Sequence, residues 1–346
     1  MEEISSFCRK IKTKFRKDNK IDLSEPVGCW GEKDVFRKRI VDAFVIILRT
    51  RGCSWALKSG CTMCGYFNDS AFENISDRNL IKQFDKCMKK FSGQKIVKIF
   101  TSGSFLDESE ITEKVRNHII KILSEKTEKI SFESRPEYVN YEELKKINSL
   151  SDKAIIEVSL GLETSDDTIR SQNINKGFSF KDYKKTVDII KKQNMNLKTY
   201  VLVKPPFLSE KKSIKDSVNT IKKINNLTDI ISLNPVNVQK NTLVEYLWKR
   251  KQYRPPWLWS IIEILKNADK KCDENTLLKC DIAGGGKIRG SHNCGECDQE
   301  LLKSIKNYSL KQNISELKNI YCSCKEKWKD QKAIEDLSFG SIIDIE

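Results

Sequence analysis

The feature that most restricts the fold of this chain is a strict alternation of two kinds of segment. Six short apolar runs, Val41–Leu48, Ile96–Phe100, Lys129–Glu133, Ala154–Leu160, Leu197–Val203 and Asp229–Leu233, are rich in β-branched residues. Charged amphipathic stretches lie between them at Ser76–Phe91, Glu108–Ser124, Tyr141–Ile147, Ser179–Gln193 and Ser209–Asn226. These stretches carry apolar residues at three- and four-residue spacing, with Ser76 and Ser179 standing where helix N-caps belong. Strands that alternate with helices pair in parallel through crossovers. Six such units predict an α/β fold, a partial (β/α)6 TIM-like barrel open along one side, over residues 39–270. Residues 1–38 read as an N-terminal extension. Beyond Trp259 the pattern gives way to Gly284-Gly285-Gly286 and paired cysteines before a helix at Gln299–Lys306, so 271–346 reads as a small cysteine-rich, zinc-type appendage.

Chemistry in such barrels sits at the carboxyl ends of the strands. The first run leads straight into Cys53-x7-Cys61-x2-Cys64-Gly65-Tyr66. An iron–sulfur cubane is normally held by four thiolates; a tight group of three leaves one iron open for another ligand. In radical chemistry based on S-adenosylmethionine (SAM), that ligand is the amino and carboxylate groups of SAM. The chain therefore looks like a radical SAM enzyme, with a first spacing longer than the commonest C-x3-C-x2-C. A zinc site completed elsewhere, or thiols buried in a core, are the alternatives.

The other strand ends supply further candidates. Thr101, Ser102, Gly103 and Ser104 occupy the place where radical SAM barrels hold the methionine amino group, while Asp107 reads as the cap of a helix starting near Glu108. Glu133 and Arg135 alternate with Phe132 and Ser134 and either bind the ribose and carboxylate of SAM or form a structural pair. Glu163 ends the fourth strand, and Lys204 before Pro205-Pro206 is a candidate for reading an anionic substrate. Tyr66 either contacts adenine or packs as an aromatic. Cys294, Cys297, Cys322 and Cys324 have the makings of a tetrahedral zinc site, with Cys280 and His292 in reserve and a second cluster as the rival. Arg289, Lys287 and Trp328 around it would suit RNA.

Composition narrows the setting. No run approaches the length of a membrane span, and residues 1–20 lack an apolar signal core. Twelve cysteines then point to metal ligands in a reducing cytoplasm rather than to disulfides. A net charge of +15 attracts polyanions, nucleic acid among them.

Several segments together resemble one family: Arg51-Gly-Cys53, Cys61-Thr-Met-Cys64-Gly-Tyr66, Thr101-Ser-Gly-Ser-Phe-Leu-Asp107, Glu133-Ser-Arg-Pro136, Lys204-Pro-Pro206, Asn234-Pro-Val-Asn-Val-Gln239 and His292-Asn-Cys294-Gly-Glu-Cys297-Asp298. They are similar to the Elp3-like radical SAM enzymes of archaeosine biosynthesis (RaSEA), from about Cys29 to Trp328, the long cysteine spacing included. The resemblance implies a radical SAM barrel with a [4Fe–4S] cluster on Cys53, Cys61 and Cys64, SAM, and an electron donor. It implies a tRNA substrate whose D-arm carries preQ0 to which a partner, the archaeosine synthase alpha subunit, has attached lysine. The enzyme would cleave the lysine carbon–nitrogen bond and leave archaeosine, with the modified base flipped towards the barrel mouth. The absence of an obvious appended RNA-binding domain favours a complex with that partner. The competing functions are another Elp3-like or methylthiotransferase-like tRNA enzyme, and a non-catalytic zinc-dependent RNA-binding protein.

Overall fold

The computed structural model describes residues 2–13, 21–270, 272–273, 275–317 and 320–337. Its strands are β1 (Gly28–Phe36), β2 (Arg39–Ile47), β3 (Ile96–Phe100), β4 (Lys129–Ser134), β5 (Ile155–Glu163), β6 (Asn196–Val203), β7 (Ile230–Pro235) and β8 (Leu277–Cys280). They form one eight-stranded sheet in sequence order, curled into a half-barrel. β1 is antiparallel to β2, and every later neighbour is parallel. The helices are α1 (Glu2–Thr13), α2 (Ser54–Lys58), α3 (Asp77–Met88), α4 (Glu113–Ser124), α5 (Tyr141–Ser149), α6 (Phe180–Lys192), α7 (Glu210–Ile224), α8 (Leu243–Trp248), α9 (Leu258–Asp269), α10 (Asp298–Lys311) and α11 (Cys324–Leu337). None is long and apolar enough to cross a membrane.

Local chemistry explains the boundaries. Ser76 and Ser209 accept hydrogen bonds from backbone N–H groups three residues on, and Ser179 forms a reciprocal capping box with Asp182. The helix expected from Glu108 starts instead at Glu113, capped by Thr112. Asp107 accepts from Ser109 N (2.9 Å) and closes a turn before it, so it is not the helix cap.

The strands put aliphatic and polar residues on opposite faces, as a two-residue period requires. Phe44, Ile46, Val97, Ile99, Ile130, Phe132, Val158, Leu160, Val201 and Leu233 lie under the helices in the main core. The intervening residues, including Lys98, Ser131, Glu133, Glu157, Lys198, Tyr200 and Lys279, turn inwards to a polar lumen. Asp34 of β1 pairs there with Lys98 and Lys279, so ions link the two edge strands to β3. The sheet thus extends past 39–270 at both edges: β1 adds a hairpin strand before β2, and β8 a short parallel strand after β7.

Candidate active site and metal centre

The three-cysteine loop leaves β2 at the carboxyl end of the sheet, and long-range hydrogen bonds fix it. Ser54 Oγ donates to Asp107 Oδ2 (2.6 Å) after β3, and Trp55 Nε1 donates to the Asn175 carbonyl (2.8 Å). Thr62 donates through Oγ1 to Asn173 O (2.8 Å) and through N to Ile174 O (3.0 Å). Asn175 Nδ2 reaches Ser59 Oγ and Gly60 O, both at 2.8 Å. The segment that makes these contacts is a π-helical turn, Ile169–Ile174, ending on Asn175 in the left-handed region (φ 58°); such turns recur where a helix is bent to serve a site. From beyond β7, the Gln239 carboxamide accepts from Gly65 N. A Cβ on Gly65 would lie 2.6 Å from Gln239 Cβ, so glycine is required for this contact.

The end of β3 packs directly on the loop. A Cβ on Gly103 would lie 2.6 Å from Cys53 Cα and 2.7 Å from Cys53 Cβ. Glu110, fully enclosed, accepts from Thr50 Oγ1 and Ser104 N (both 2.8 Å), and burial pushes its carboxyl up to about 7. Thr101 is nearly buried, its Oγ1 accepting from Gly103 N (3.2 Å). Ser102 is partly open, with its Oγ 3.3 Å from the Tyr66 carbonyl. Ser104 is fully buried and shares a hydrogen bond with Ser134 (2.8 Å), which ties β3 to β4.

Glu133 and Arg135 do not pair with each other. Arg135 bonds Glu137 (2.5 Å) and the Lys176 carbonyl (2.9 Å), and lies over Trp55 (5.4 Å) and Phe178 (5.7 Å). Its guanidinium is within electrostatic reach of the Cys53 and Cys61 thiols. Glu133 faces the lumen beside Tyr200, and burial pushes it up to about 6. Glu163, with φ 70°, ion-pairs with Lys176 (2.6 Å). Tyr66 exposes 59% of its surface at the lumen mouth. Burial of its hydroxyl, with Glu133 and Cys64 nearby, pushes it up to about 12 against the opposing effect of a hydrogen bond with Gln239. Lower down, burial lowers Lys198, whose ammonium sits 4.8 Å over the Tyr200 ring. Asp281 accepts from Ser232 Oγ (2.9 Å), and Lys198, Lys279 and Lys98 hold it below the usual carboxylate range.

These surroundings fit an iron–sulfur cluster. Three thiols come from one loop at the lumen mouth; burial raises Cys53 and Cys64, and Cys61 raises both further. Burial pushes Cys53 up to about 12 in the metal-free chain, so iron must displace its proton. Arg135 and Lys176 supply positive charge beside Cys61. Cys8, by contrast, sits in an apolar cluster with Ile174, Val236 and Leu243, as a core thiol does.

The second cysteine group is drawn together from two chain regions. Sγ atoms of Cys294, Cys297, Cys322 and Cys324 all lie within 4.8 Å of one another, with separations of 3.5 Å (Cys294–Cys322), 3.7 Å (Cys297–Cys324) and 4.0 Å (Cys294–Cys297). Four sulfurs about 2.3 Å from one tetrahedral ion are about 3.8 Å apart, so the quartet fits a single ion and is too tight for a cubane. Trp259 Nε1 and Asn293 Nδ2 each donate to a ligand sulfur at 3.3 Å. The two reserves lie elsewhere: Cys280 is buried in β8 against Ser309, and His292 Nδ1 faces Gly290 O (2.8 Å).

Two sequence expectations, Lys204 and Trp328, fail here. Lys204 is fully buried and paired with Glu210 (2.5 Å) and Glu335 (3.6 Å), because the two prolines turn the chain back towards α7 and α11. It cannot read a substrate at the mouth. Trp328 is 5% exposed and donates to Ser260 Oγ (2.8 Å), so it packs the core instead of offering a face to RNA. Arg289 is held by Glu245 (2.6 Å) and the Trp248 ring (4.8 Å), although Lys287 stays exposed.

Comparison with known proteins agrees with this geometry. The radical SAM superfamily model matches residues 47–216, from the end of β2 into α7. Archaeosine synthase subunit beta of Methanosarcina acetivorans is 42% identical over 324 residues, covering 92% of this chain and 93% of that protein. The chain belongs to the archaeosine synthase subunit beta family of radical SAM enzymes. The namesake protein of Thermococcus kodakarensis is 36% identical over 307 residues, 87% of this chain and 94% of that one. Among solved structures, Elp3 of Methanocaldococcus infernus gives a TM-score of 0.45 at 18% identity, covering 62% of this chain and 54% of that one.

The family implies a [4Fe–4S] cluster and SAM. In this archaeosine synthase beta family member the sequence reading overlooked the groups that brace the site: Glu110 under the β3 turn, Asn175 and Lys176 after β5, and Gln239 after β7. Only Gln239 carried a signal, as the last residue of the Asn234–Gln239 segment. The helix α1 was also overlooked; it packs behind the cysteine loop, with Ser59 Oγ bonded to Ser5 Oγ (2.8 Å).

Proposed function

We propose that this protein is a tRNA-modifying lyase that cleaves the lysine carbon–nitrogen bond of the lysine–preQ0 adduct in the tRNA D-arm and leaves archaeosine. The observation that carries this reading is one loop of three cysteines, Cys61 buried and Cys53 and Cys64 half-buried, at the mouth of a lumen lined by both acids and amines, in a chain of the archaeosine synthase subunit beta family. When bound through Cys53, Cys61 and Cys64, the cluster and SAM supply radical chemistry that takes a hydrogen atom from the carbon attached to the nitrogen to be retained. Around that chemistry we assign Thr101, Ser102 and Gly103 to the methionine end of SAM, Arg135 and Glu163 to its carboxylate and ribose, and Tyr66 to adenine. Ser104 braces the turn beneath. Glu133, whose carboxyl burial pushes up to about 6, is assigned to hold a proton in the lumen.

The cysteine quartet takes zinc in this reading and holds α11 and α10 against the barrel. The partners are tRNA, attracted by the +15 charge, the alpha subunit that supplies the lysine adduct, and an electron donor. The reaction takes place in the cytoplasm, in keeping with twelve free cysteines. The test is to incubate anaerobically reconstituted protein, SAM and reductant with lysine-adducted tRNA and to analyse the nucleosides by mass spectrometry. Archaeosine is expected with the wild type and not with Cys61→Ala. Unchanged adduct despite SAM cleavage would overturn the assignment.

A further inference from the structure

Lys12 is a buried ammonium that nothing in the barrel uses. It lies in the last turn of α1, 6% exposed, and its Nζ finds no hydrogen-bond acceptor among the described residues. The Phe67 ring lies 4.9 Å away. Gly60, inside the cysteine loop, lies against Lys12: φ there is +92° and a Cβ would collide with the ammonium. Lys12 and Cys53 line one cavity of ≈ 90 Å³, together with Gly52, Phe67 and Phe72. The ammonium also acts electrostatically on the Cys64 thiol and on Cys8. α1 is anchored while it does so: Ser5 is bonded to Ser59, and Phe7 packs edge-on against Tyr246 at 4.9 Å.

An unpaired ammonium removed from water is costly unless negative charge is near. A cubane core with three thiolate ligands is net negative and gains one more negative charge on reduction. We propose that Lys12 is the counter-charge of the iron–sulfur cluster, held behind the cysteine loop by α1, and that it raises the cluster's reduction potential. This rests on the reading that Cys53, Cys61 and Cys64 hold the cluster. A fixed cation favours the reduced form because that form carries more negative charge. Gly60 makes room for it, and Phe67 covers the ammonium with the negative face of its ring.

The experiment is an equilibrium redox titration of the full-length, anaerobically reconstituted protein, followed by the paramagnetic signal of the reduced cluster, with neither SAM nor tRNA present. Lys12→Met keeps the aliphatic stem and removes the charge; its reduction is expected to be about tenfold less favourable, a midpoint about 59 mV lower. Lys12→Arg is expected to titrate with the wild type. A wild-type midpoint in Lys12→Met overturns the proposal, as does an equal fall in Lys12→Arg, which would mean that packing rather than charge is at work. Lys12→Gln is read in the same way should the Met variant fail to fold. Iron analysis of the wild type separates the two readings: no cluster there means that the thiol assignment itself has failed.

Discussion

Substituting Gly103 by alanine tests whether the β3 turn and the cysteine loop form one unit. The added methyl would lie 2.6 Å from Cys53 Cα and 2.7 Å from Cys53 Cβ. Carbon atoms settle at about 3.5–4.0 Å, so loop and turn must separate by about 1 Å. Overpacking of this kind costs about 1–3 kcal/mol, a loss of a few degrees in melting temperature for a chain of this size. The larger effect falls on metal binding, because ligand distances tolerate only about 0.2 Å of error. Gly103→Ala should therefore fold with a melting temperature a few degrees low, yet take up less than about half the wild-type iron and show a weakened cluster absorbance. Both are measured after anaerobic reconstitution, by iron analysis and differential scanning fluorimetry. Full iron content with a wild-type melting temperature would refute the argument that this glycine sets the position of Cys53.

Other expectations follow from the same geometry. Asp34→Asn removes the negative charge shared by Lys98 and Lys279, whose side chains are 9% and 6% exposed. It should cost about 3–5 kcal/mol in urea unfolding, and an unchanged midpoint would contradict the ion link between the edge strands. Cys324→Ala removes one sulfur of the quartet; bound zinc by mass spectrometry should fall well below one per chain, and full retention would exclude the site. Asp216 is pushed up to about 6 by burial, with Oδ1 accepting from Thr164 (2.7 Å) and Oδ2 without a hydrogen-bond partner among the described residues. The folded chain then holds a proton that the unfolded chain has released between about pH 4 and about pH 6, so this contribution, at most about 3 kcal/mol, is lost as pH rises through that window. Asp216→Asn should flatten that slope in unfolding titrations, and a variant with the wild-type slope would show that another group is responsible.

The parallel strands and their helices were legible because period-two aliphatic runs and serine caps are local signals, as at Ile96–Phe100 and Ser179. β1 was not: it carries Gly28, Gly31 and the charged pair Glu32 and Lys33, and its order comes from the hairpin with β2. β8 is too short, at four residues, to stand out. The cysteine ligands were readable from spacing, but the residues that position them were not, since the Asn175–Gly60 bond joins residues 115 positions apart. Lys204 misled because a cation before two prolines looks displayed, and the turn that buries it is a tertiary effect. Trp328 misled because the lysines around it lie on the outer face of a helix whose other face is core. For α1 a signal did exist: Ile4, Phe7, Cys8 and Ile11 recur at helical spacing.

The π-helical turn that grips Thr62, Ser59 and Gly60 also dictates a chronology. A polypeptide leaving the ribosome presents its three thiols long before it possesses residues 173–175, so this part of the loop's bracing is added only after β5 has been made. If the loop holds the proposed cluster, a fully braced site for iron and sulfide exists only once the turn after β5 has formed. An assembly factor acting on this chain would then have to work through the open mouth of the half-barrel.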